Sequence, residues 1–375
     1  SDADTVNNLS YCFTQLGQHE KAYQVWRATK YNVKNNVYIL NYGISLLGVG
    51  RLEEGISALM RFRRLYPKNS AYQDYISELW LQCRNLLKEE DINGWQTSES
   101  FIRFKSLPMK VMQLIDFYLK GDVRSCQKCI SIIRSDEAKK YYKELNEGQK
   151  LFVSAYTNFI IKLGTKRKSC EQEIFHVGES HCLSFANEVL RIYDNDYSIT
   201  PKIIMGAKAF HLGNDTKNKY KALLENNISI SPQKYILFSF GEIDCRENEG
   251  IIVAASQADR EQICRDTALS YVSKLVGLCE TYSKYPIIFT VPIPLQQISE
   301  SPTDFRNRMR LVEIFNESIF EQQKNMRFDI ISLFSKYSAR DKEYEGELHI
   351  DNRHLKRSAI GQATIIEPGE VEKLR

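Results

Sequence analysis

The sequence predicts two architectures in one chain: helical hairpins over residues 1–168, then a doubly wound α/β domain with a parallel sheet over residues 169–375. Three observations carry this. Amphipathic helical segments, broken by single glycines, recur in the front half. From Glu171 onward, short Ile/Phe/Val runs alternate with polar helical segments. The change of character falls in FHVGESHCLSF, Phe175 to Phe185, where a strand-like run ends in Gly178-Glu179-Ser180-His181.

The helical half shows an internal repeat. NLSYCFTQLGQHEKAYQVW from Asn8 aligns with NYGISLLGVGRLEEGISAL from Asn41 at a spacing of about 33 residues. Asn8 then matches Asn41, Gly17 matches Gly50, Glu20 matches Glu53, Ala22 matches Gly55 and Trp26 matches Leu59. A glycine at the turn, a small residue where paired helices touch and a bulky one a turn later suit a stacked hairpin. Pro67 would close the second unit, whereas Lys34 stands where the first would end. The pattern resembles tetratricopeptide repeats. Ala71 to Leu87 would cap the stack, Val111 to Ile133 repeats the helix–glycine–helix layout around Gly121, and EGQKLFVSAYTNFIIKLG supplies one more helix. Since one hairpin cannot bury its own apolar face, several must stack. Two uses stay open: a buttress for the second domain, or a concave surface for a protein partner.

In the second half the strand candidates are EIFHVG, KIIMGAKAF (Lys202 to Phe210), KYILFSFG (Lys234 to Gly241), YPIIFTVP (Tyr285 to Pro292) and FDIISLF (Phe328 to Phe334). Runs apolar throughout indicate strands covered on both faces, hence a parallel sheet between helices. SHCLSFANEVLRIY reads as a helix with Leu183, Val189, Leu190 and Tyr193 on one side. Ala258 to Tyr282 and Asp304 to Gln323 read as further helices. Such sheets place their sites beyond the carboxyl ends of the strands.

Polar residues gather at those ends: Gly178-Glu179-Ser180-His181 after the first strand, Gly206 after the second, GEIDCR (Gly241 to Arg246) after the third, and HIDNRHL (His349 to Leu355) after the fifth. A serine hydroxyl is a weak nucleophile until a base accepts its proton. His354 is the candidate base, since imidazole titrates near neutrality. Asp351, three residues earlier, is placed to fix the ring tautomer and stabilise the imidazolium. Oxyanion donors would be the amide of Ser180 itself, at a helix N-terminus, with Gly206 as a second.

These blocks give the back half, from about Glu171 to the C-terminus, a resemblance to the SGNH (GDSL-like) hydrolases. Gly178-Glu179-Ser180 is similar to the family's Gly-Asp-Ser block, and Asp351-Asn352-Arg353-His354 to its Asp-x-x-His block. The second-block glycine is Gly206 or Gly213, and Gly241-Glu242-Ile243-Asp244 matches Gly-x-Asn-Asp in part. The resemblance implies a flavodoxin-like, five-stranded parallel domain with Ser180 as nucleophile, His354 as base and Asp351 as orienting acid. It implies an esterase or an O-acyltransferase working through an acyl-serine. By analogy the substrate would be a small-molecule or glycan ester, in bacterial surface-polysaccharide metabolism. Two departures stand out. Ile243 occupies the position whose Asn donates to the oxyanion, and Glu179 replaces Asp. Arg246 is then either a substitute donor or an ion-pair partner of Glu242 or Glu249.

Other readings of the same residues exist. A Gly-x-Ser turn alone is ordinarily an N-cap. GESHC also approaches the Gly-x-Ser-x-Gly elbow, although that serine follows a middle strand. His349, Asp351 and His354 read as metal ligands lack a completing cluster. His176 and His181 are assigned structural roles, with His181 directed away along the helix. A non-enzymatic scaffold with a degenerate hydrolase domain is the competing class, and Ile243 favours it.

Composition bounds the rest. The chain has 375 residues, 43% hydrophobic and 26% charged, with a net charge of +4. Basic and acidic residues are interspersed, so no nucleic-acid groove is implied, and the run Lys162 to Ser169 reads as a solvated linker. No apolar run reaches membrane-spanning length, and no signal peptide is visible. The start, SDADTVNN without Met, is consistent with a fragment or a trimmed chain. Nine scattered cysteines favour reduced thiols and a cytoplasmic setting. Cys126 and Cys129 form a CxxC without a second pair, so neither a metal nor another cofactor is called for.

Overall fold

The computed structural model describes residues 3–28, 38–66, 73–87, 107–164, 168, 170–246, 249–297, 300–333, 346–351 and 353–368. Lys34, Pro67, Phe334, Asn352 and half of the basic run 162–169 lie outside these. The chain divides into two compact units, Ser1–Asn158 with Thr216–Asn226, and Phe159–Asp215 with Asn227–Arg375.

The first unit is helical. Helices α1 (Ala3–Gln15) and α2 (His19–Arg27) form one hairpin, and α3 (Ile39–Gly48) and α4 (Leu52–Leu65) a second. After α5 (Gln73–Cys83), α6 (Leu107–Leu119) and α7 (Val123–Ile133) form a third, followed by α8 (Asp136–Glu144) and α9 (Glu147–Leu163). Each hairpin turn carries a glycine at positive φ: Gly17 at 70°, Gly50 at 81° and Gly121 at 69°. The residue after each glycine bonds the carbonyl five positions back, Gln18 to Phe13, Arg51 to Leu46 and Asp122 to Phe117. That closes the helix end in a left-handed cap that only glycine adopts without strain. The small residues sit where helices touch. Ala22 is fully buried, and a Cβ on Gly55 would lie 2.6 Å from the Leu47 side chain. Asn41 Nδ2 donates to Asn7 Oδ1 at 2.8 Å, linking α3 to α1.

The second half of the sequence also contributes to this unit. Helix α11 (Lys219–Ser229) contributes its residues 219–226. Lys219 Nζ pairs with Glu78 Oε1 at 2.8 Å, and Asn226 and Asn85 exchange side-chain hydrogen bonds.

Among the described residues, the second unit is built on a sheet of seven strands, not five. They are β1 (Gln172–Gly178), β2 (Val189–Ile192), β3 (Asn195–Ile203), β4 (Tyr235–Ser239), β5 (Tyr285–Phe289), β6 (Asp329–Ser332) and β7 (Thr364–Ile366), in the order β2-β3-β1-β4-β5-β6-β7. The five inner strands are parallel, and β2 and β7 add antiparallel edges. The edges escape sequence reading because they are short, four and three residues. The expected helix from Ser180 to Tyr193 is corrected too. It is a 3-10 helix, Ser180–Phe185, followed by β2, with Asn187 (φ 61°) and Tyr193 (φ 52°) turning the chain at the strand's ends. The second inner strand lies earlier than expected. The more polar NDYSITPKI forms β3, and residues 204–208 turn into the short helix α10 (Ala209–Gly213). Long helices α13 (Arg260–Thr281) and α14 (Pro302–Gln322) fall as expected; the short α12 (Ile251–Ala254) precedes them.

Numbered among themselves, the parallel strands run 2-1-3-4-5. In such sheets the chain reverses its winding beside the first strand, and a crevice opens there at the carboxyl ends. Here that point lies between β1 and β4, where Gly178 pairs with Ser239.

Candidate functional site

The carboxyl end of β1 is tightly framed. Gly178 pairs with Ile203 on one side and Ser239 on the other, and a Cβ on it would lie 2.2 Å from Ser239 Oγ. Any side chain there would push the strands apart, so glycine fixes where the next residue emerges. Ser180 emerges at the start of the 3-10 helix and is 8% exposed.

The opposing wall is a small hairpin near the C-terminus. Ile350 N bonds His354 O at 2.8 Å and Lys356 N bonds Leu348 O at 2.7 Å. Inside it, Asp351 Oδ1 accepts the amides of Arg353 (2.9 Å) and His354 (2.8 Å). Its two oxygens lie 3.1 and 3.0 Å from His354 Nδ1. Burial opposes the charge of Asp351, but these hydrogen bonds and the His354 ring hold its carboxyl well below the usual range. The other ring nitrogen, Nε2, lies 3.0 Å from Ser180 Oγ. Ser180, His354 and Asp351 therefore meet as one chain of polar contacts. Phe159, at the end of α9, stacks on the His354 ring at 4.1 Å between centroids and 27° between planes. No sequence signal linked Phe159 to this site.

A second carboxylate–histidine pair stands on the other side of the serine. Glu179 Oε2 accepts from Ser180 Oγ at 2.7 Å, while Glu179 Oε1 lies 2.7 Å from His181 Nδ1. His181 Nε2 lies 2.8 Å from the Arg353 carbonyl. Both nitrogens face acceptors, so the ring is an imidazolium donating twice. Burial alone would lower its pKa, but the Glu179 carboxylate outweighs this and pushes it up to about 9. Glu179 is buried too, yet His181, Arg246 and the Ser180 hydroxyl keep it ionised. His181 does not point away from the site, as the sequence suggested. Its ring centroid is 5.0 Å from that of His354.

His176 lies behind, its Nε2 2.8 Å from Ser239 Oγ, and burial followed by the His181 charge lowers its pKa to about 3. His349 is similarly lowered, to about 4, by burial and then His181. Both rings are neutral and suit structural roles.

The third block divides its work. Gly241, at φ 115°, packs so closely on Phe315 that a Cβ would lie 2.5 Å from the ring. Ile243 is buried. Asp244 accepts the amides of Ala209 (2.7 Å) and Phe210 (3.1 Å), tying this block to the segment just beyond Gly206. Burial raises the Asp244 carboxyl to about 6 despite those bonds. Arg246 is engaged by carboxylates: Nε and Nη2 on Glu242 at 2.8 and 2.7 Å, and Nη1 on Glu249 at 2.5 Å. Of the two readings the sequence left open for Arg246, the ion pair is the one present. Gly206 lies three residues past Ile203, which pairs with Gly178. Among the described residues, neither its N–H nor that of Ser180 donates a backbone–backbone hydrogen bond in the turns and loops. Gly213 ends α10 and packs against α13, where a Cβ would lie 2.9 Å from the Tyr271 nitrogen.

Glu179, His181 and Glu242 bring ligand atoms within 4.8 Å of one another. Their two negative charges face the His181 imidazolium and the Arg246 guanidinium, the latter shared with Glu249. The CxxC cysteines are buried, and burial first pushes the Cys126 thiol up to about 12 and the Cys129 thiol further. A reactive pair needs the opposite shift.

The sequence matches no protein-family model and no curated relative. Among the described residues, no helix is long and apolar enough to cross a membrane.

Proposed function

We propose that the chain is a serine esterase or O-acyltransferase, with its second unit an SGNH-type domain. The observation that carries this reading is the 3.0 Å contact between His354 Nε2 and Ser180 Oγ, with Asp351 on the opposite ring nitrogen. Ser180 Oγ attacks the acyl carbon while His354 Nε2 takes the hydroxyl proton. Asp351 holds Nδ1–H and stabilises the imidazolium. The tetrahedral oxyanion is received by the N–H groups of Ser180 and Gly206, since Arg246 is committed to Glu242 and Glu249. Collapse breaks the ester bond, and His354 returns its proton to the leaving alcohol. Water then regenerates Ser180 in an esterase, and an acceptor hydroxyl does so in a transferase. A carbohydrate ester is the substrate class favoured by analogy, and the tetratricopeptide-like hairpins suit a protein partner.

A fluorophosphonate probe tests the reading without a known substrate. Covalent labelling of the wild type that disappears in Ser180→Ala is the expected result. Absence of labelling in a folded wild type would favour the second reading, a scaffold with a degenerate hydrolase domain. Ile243 at the donor position is the observation on its side.

A further inference from the structure

Among the described residues, Ser180 Oγ has two polar neighbours, Glu179 Oε2 at 2.7 Å and His354 Nε2 at 3.0 Å. A hydroxyl carries one hydrogen. An ionised carboxylate accepts only, so the 2.7 Å contact requires Ser180 to donate to Glu179. The His354 contact must then run the other way, with Nε2–H donating to a serine lone pair. Nδ1 faces both oxygens of Asp351 and donates there. The serine is consequently turned away from its own base. Glu179 stays charged because it faces the His181 imidazolium and the Arg246 guanidinium. The extra methylene of Glu lets one carboxylate reach back to Ser180 and forward to His181.

We infer that Glu179 is a positioning residue that parks the Ser180 hydroxyl in an off-line hydrogen bond, so that the nucleophile engages His354 only after its hydroxyl turns. This regulation rests on the acyl-serine reading above. Bringing the site on line requires Ser180 to exchange Glu179 for His354 and Nε2 to release its hydrogen. The Nε2–H bond is the one covalent bond that breaks, its proton passing to water at the partly exposed His354 side chain.

Two measurements test it. The first uses wild-type protein: ring nitrogen NMR at neutral pH, with the His354 signals assigned by their loss in His354→Gln. Hydrogen on both ring nitrogens is the expected result, and an unprotonated Nε2 in the free protein overturns the inference. The second compares fluorophosphonate labelling of wild type and Glu179→Gln. The amide keeps the shape, and with its oxygen accepting from His181 its NH2 faces Ser180 Oγ as a donor, so the hydroxyl loses its acceptor at position 179. A hydrogen bond to a charged group is the stronger kind, so the maximal labelling rate should rise about ten-fold while the probe concentration for half-maximal rate stays put. An unchanged or slower maximal rate in a folded variant overturns the inference. Should Glu179→Gln not fold, the NMR measurement decides alone. If Ser180→Ala is labelled as well as wild type, the nucleophile reading fails instead, and the NMR result still reports on Glu179.

Discussion

Two carboxylate–histidine pairs flank Ser180, Asp351–His354 and Glu179–His181, and they differ in what the second ring nitrogen faces. His354 offers Nε2 to the serine hydroxyl, whereas His181 gives its own to the Arg353 carbonyl. They differ also in burial. The side chains of His181 and Glu179 are 3% and 2% exposed, those of His354 and Asp351 15% and 29%. A carbonyl can only accept, so His181 is locked as a double donor and cannot act as a base. A hydroxyl can accept or donate, so His354 can change its proton count without losing its partner. The same two residue types thus make a fixed charge on one side of the serine and an exchangeable proton site on the other.

The largest effect that breaks this comparison is on reactivity. Ser180→Ala and His354→Ala should each lower ester turnover or probe labelling by about 10⁴ or more, and Asp351→Asn by about 10³–10⁴. His181→Gln should retain labelling within about ten-fold once its lower stability is allowed for. A loss of labelling in folded His181→Gln as complete as in His354→Ala would end the division of labour between the two rings.

The next effect is on stability and carries a sign. The folded pKa of His181 is raised to about 9 from an ordinary 6.5. Its contribution is therefore complete below about pH 6.5 and is lost as pH rises through about 9. The shift corresponds to about 3 kcal/mol at most. Glu179 is shifted the opposite way by the same interaction, so its part is lost on the acid side and the two are not added. Thermal unfolding of wild type and His181→Gln between pH 6 and 10 should show a gap that narrows towards alkaline pH. A gap that widens would mean that His181 is neutral in the fold.

How much of this was legible in the sequence follows from the reach of each interaction. Gly17, Gly50 and Gly121 mark hairpin turns because a left-handed cap is a local backbone demand. The inner strands β1, β4, β5 and β6 show as apolar runs because both faces are covered. β3 does not stand out in the sequence because NDYSITPKI mixes polar and apolar residues, and β2 merges into a helical pattern because four residues cannot establish a period. In the site, Asp351 and His354 are near neighbours in sequence and could be paired by spacing alone. Glu179 and His181 are just as close to Ser180, yet their roles depend on the Arg353 carbonyl and Arg246, brought in by other segments. The same holds for Asp244, whose hold on Ala209 and Phe210 no motif announces.

That hold gives an intermediate prediction. Asp244→Ala removes the acceptor from the buried Ala209 amide and the part-buried Phe210 amide just beyond Gly206, which should cost about 1–3 kcal/mol and loosen the proposed second oxyanion donor. Turnover should fall with little change in KM, since the donor acts on the transition state. A rise in KM with turnover unchanged would place the 206–210 segment in substrate binding instead.

The smallest effect concerns Phe159, which stacks on His354 and not on His181. An aromatic pair contributes about 0.5–1.5 kcal/mol beyond burial. Phe159→Leu keeps most of the buried volume and removes the flat face that holds the imidazole plane. The ring should then sample orientations in which Nε2 no longer points at Ser180. Turnover should fall about two- to ten-fold. The alkaline stability loss assigned to His181 should be unchanged, because its partners Glu179 and Arg353 are untouched. If Phe159→Leu instead shifted that alkaline loss and left turnover intact, the stacked ring would belong to the fixed-charge side of the serine rather than to the exchanging one.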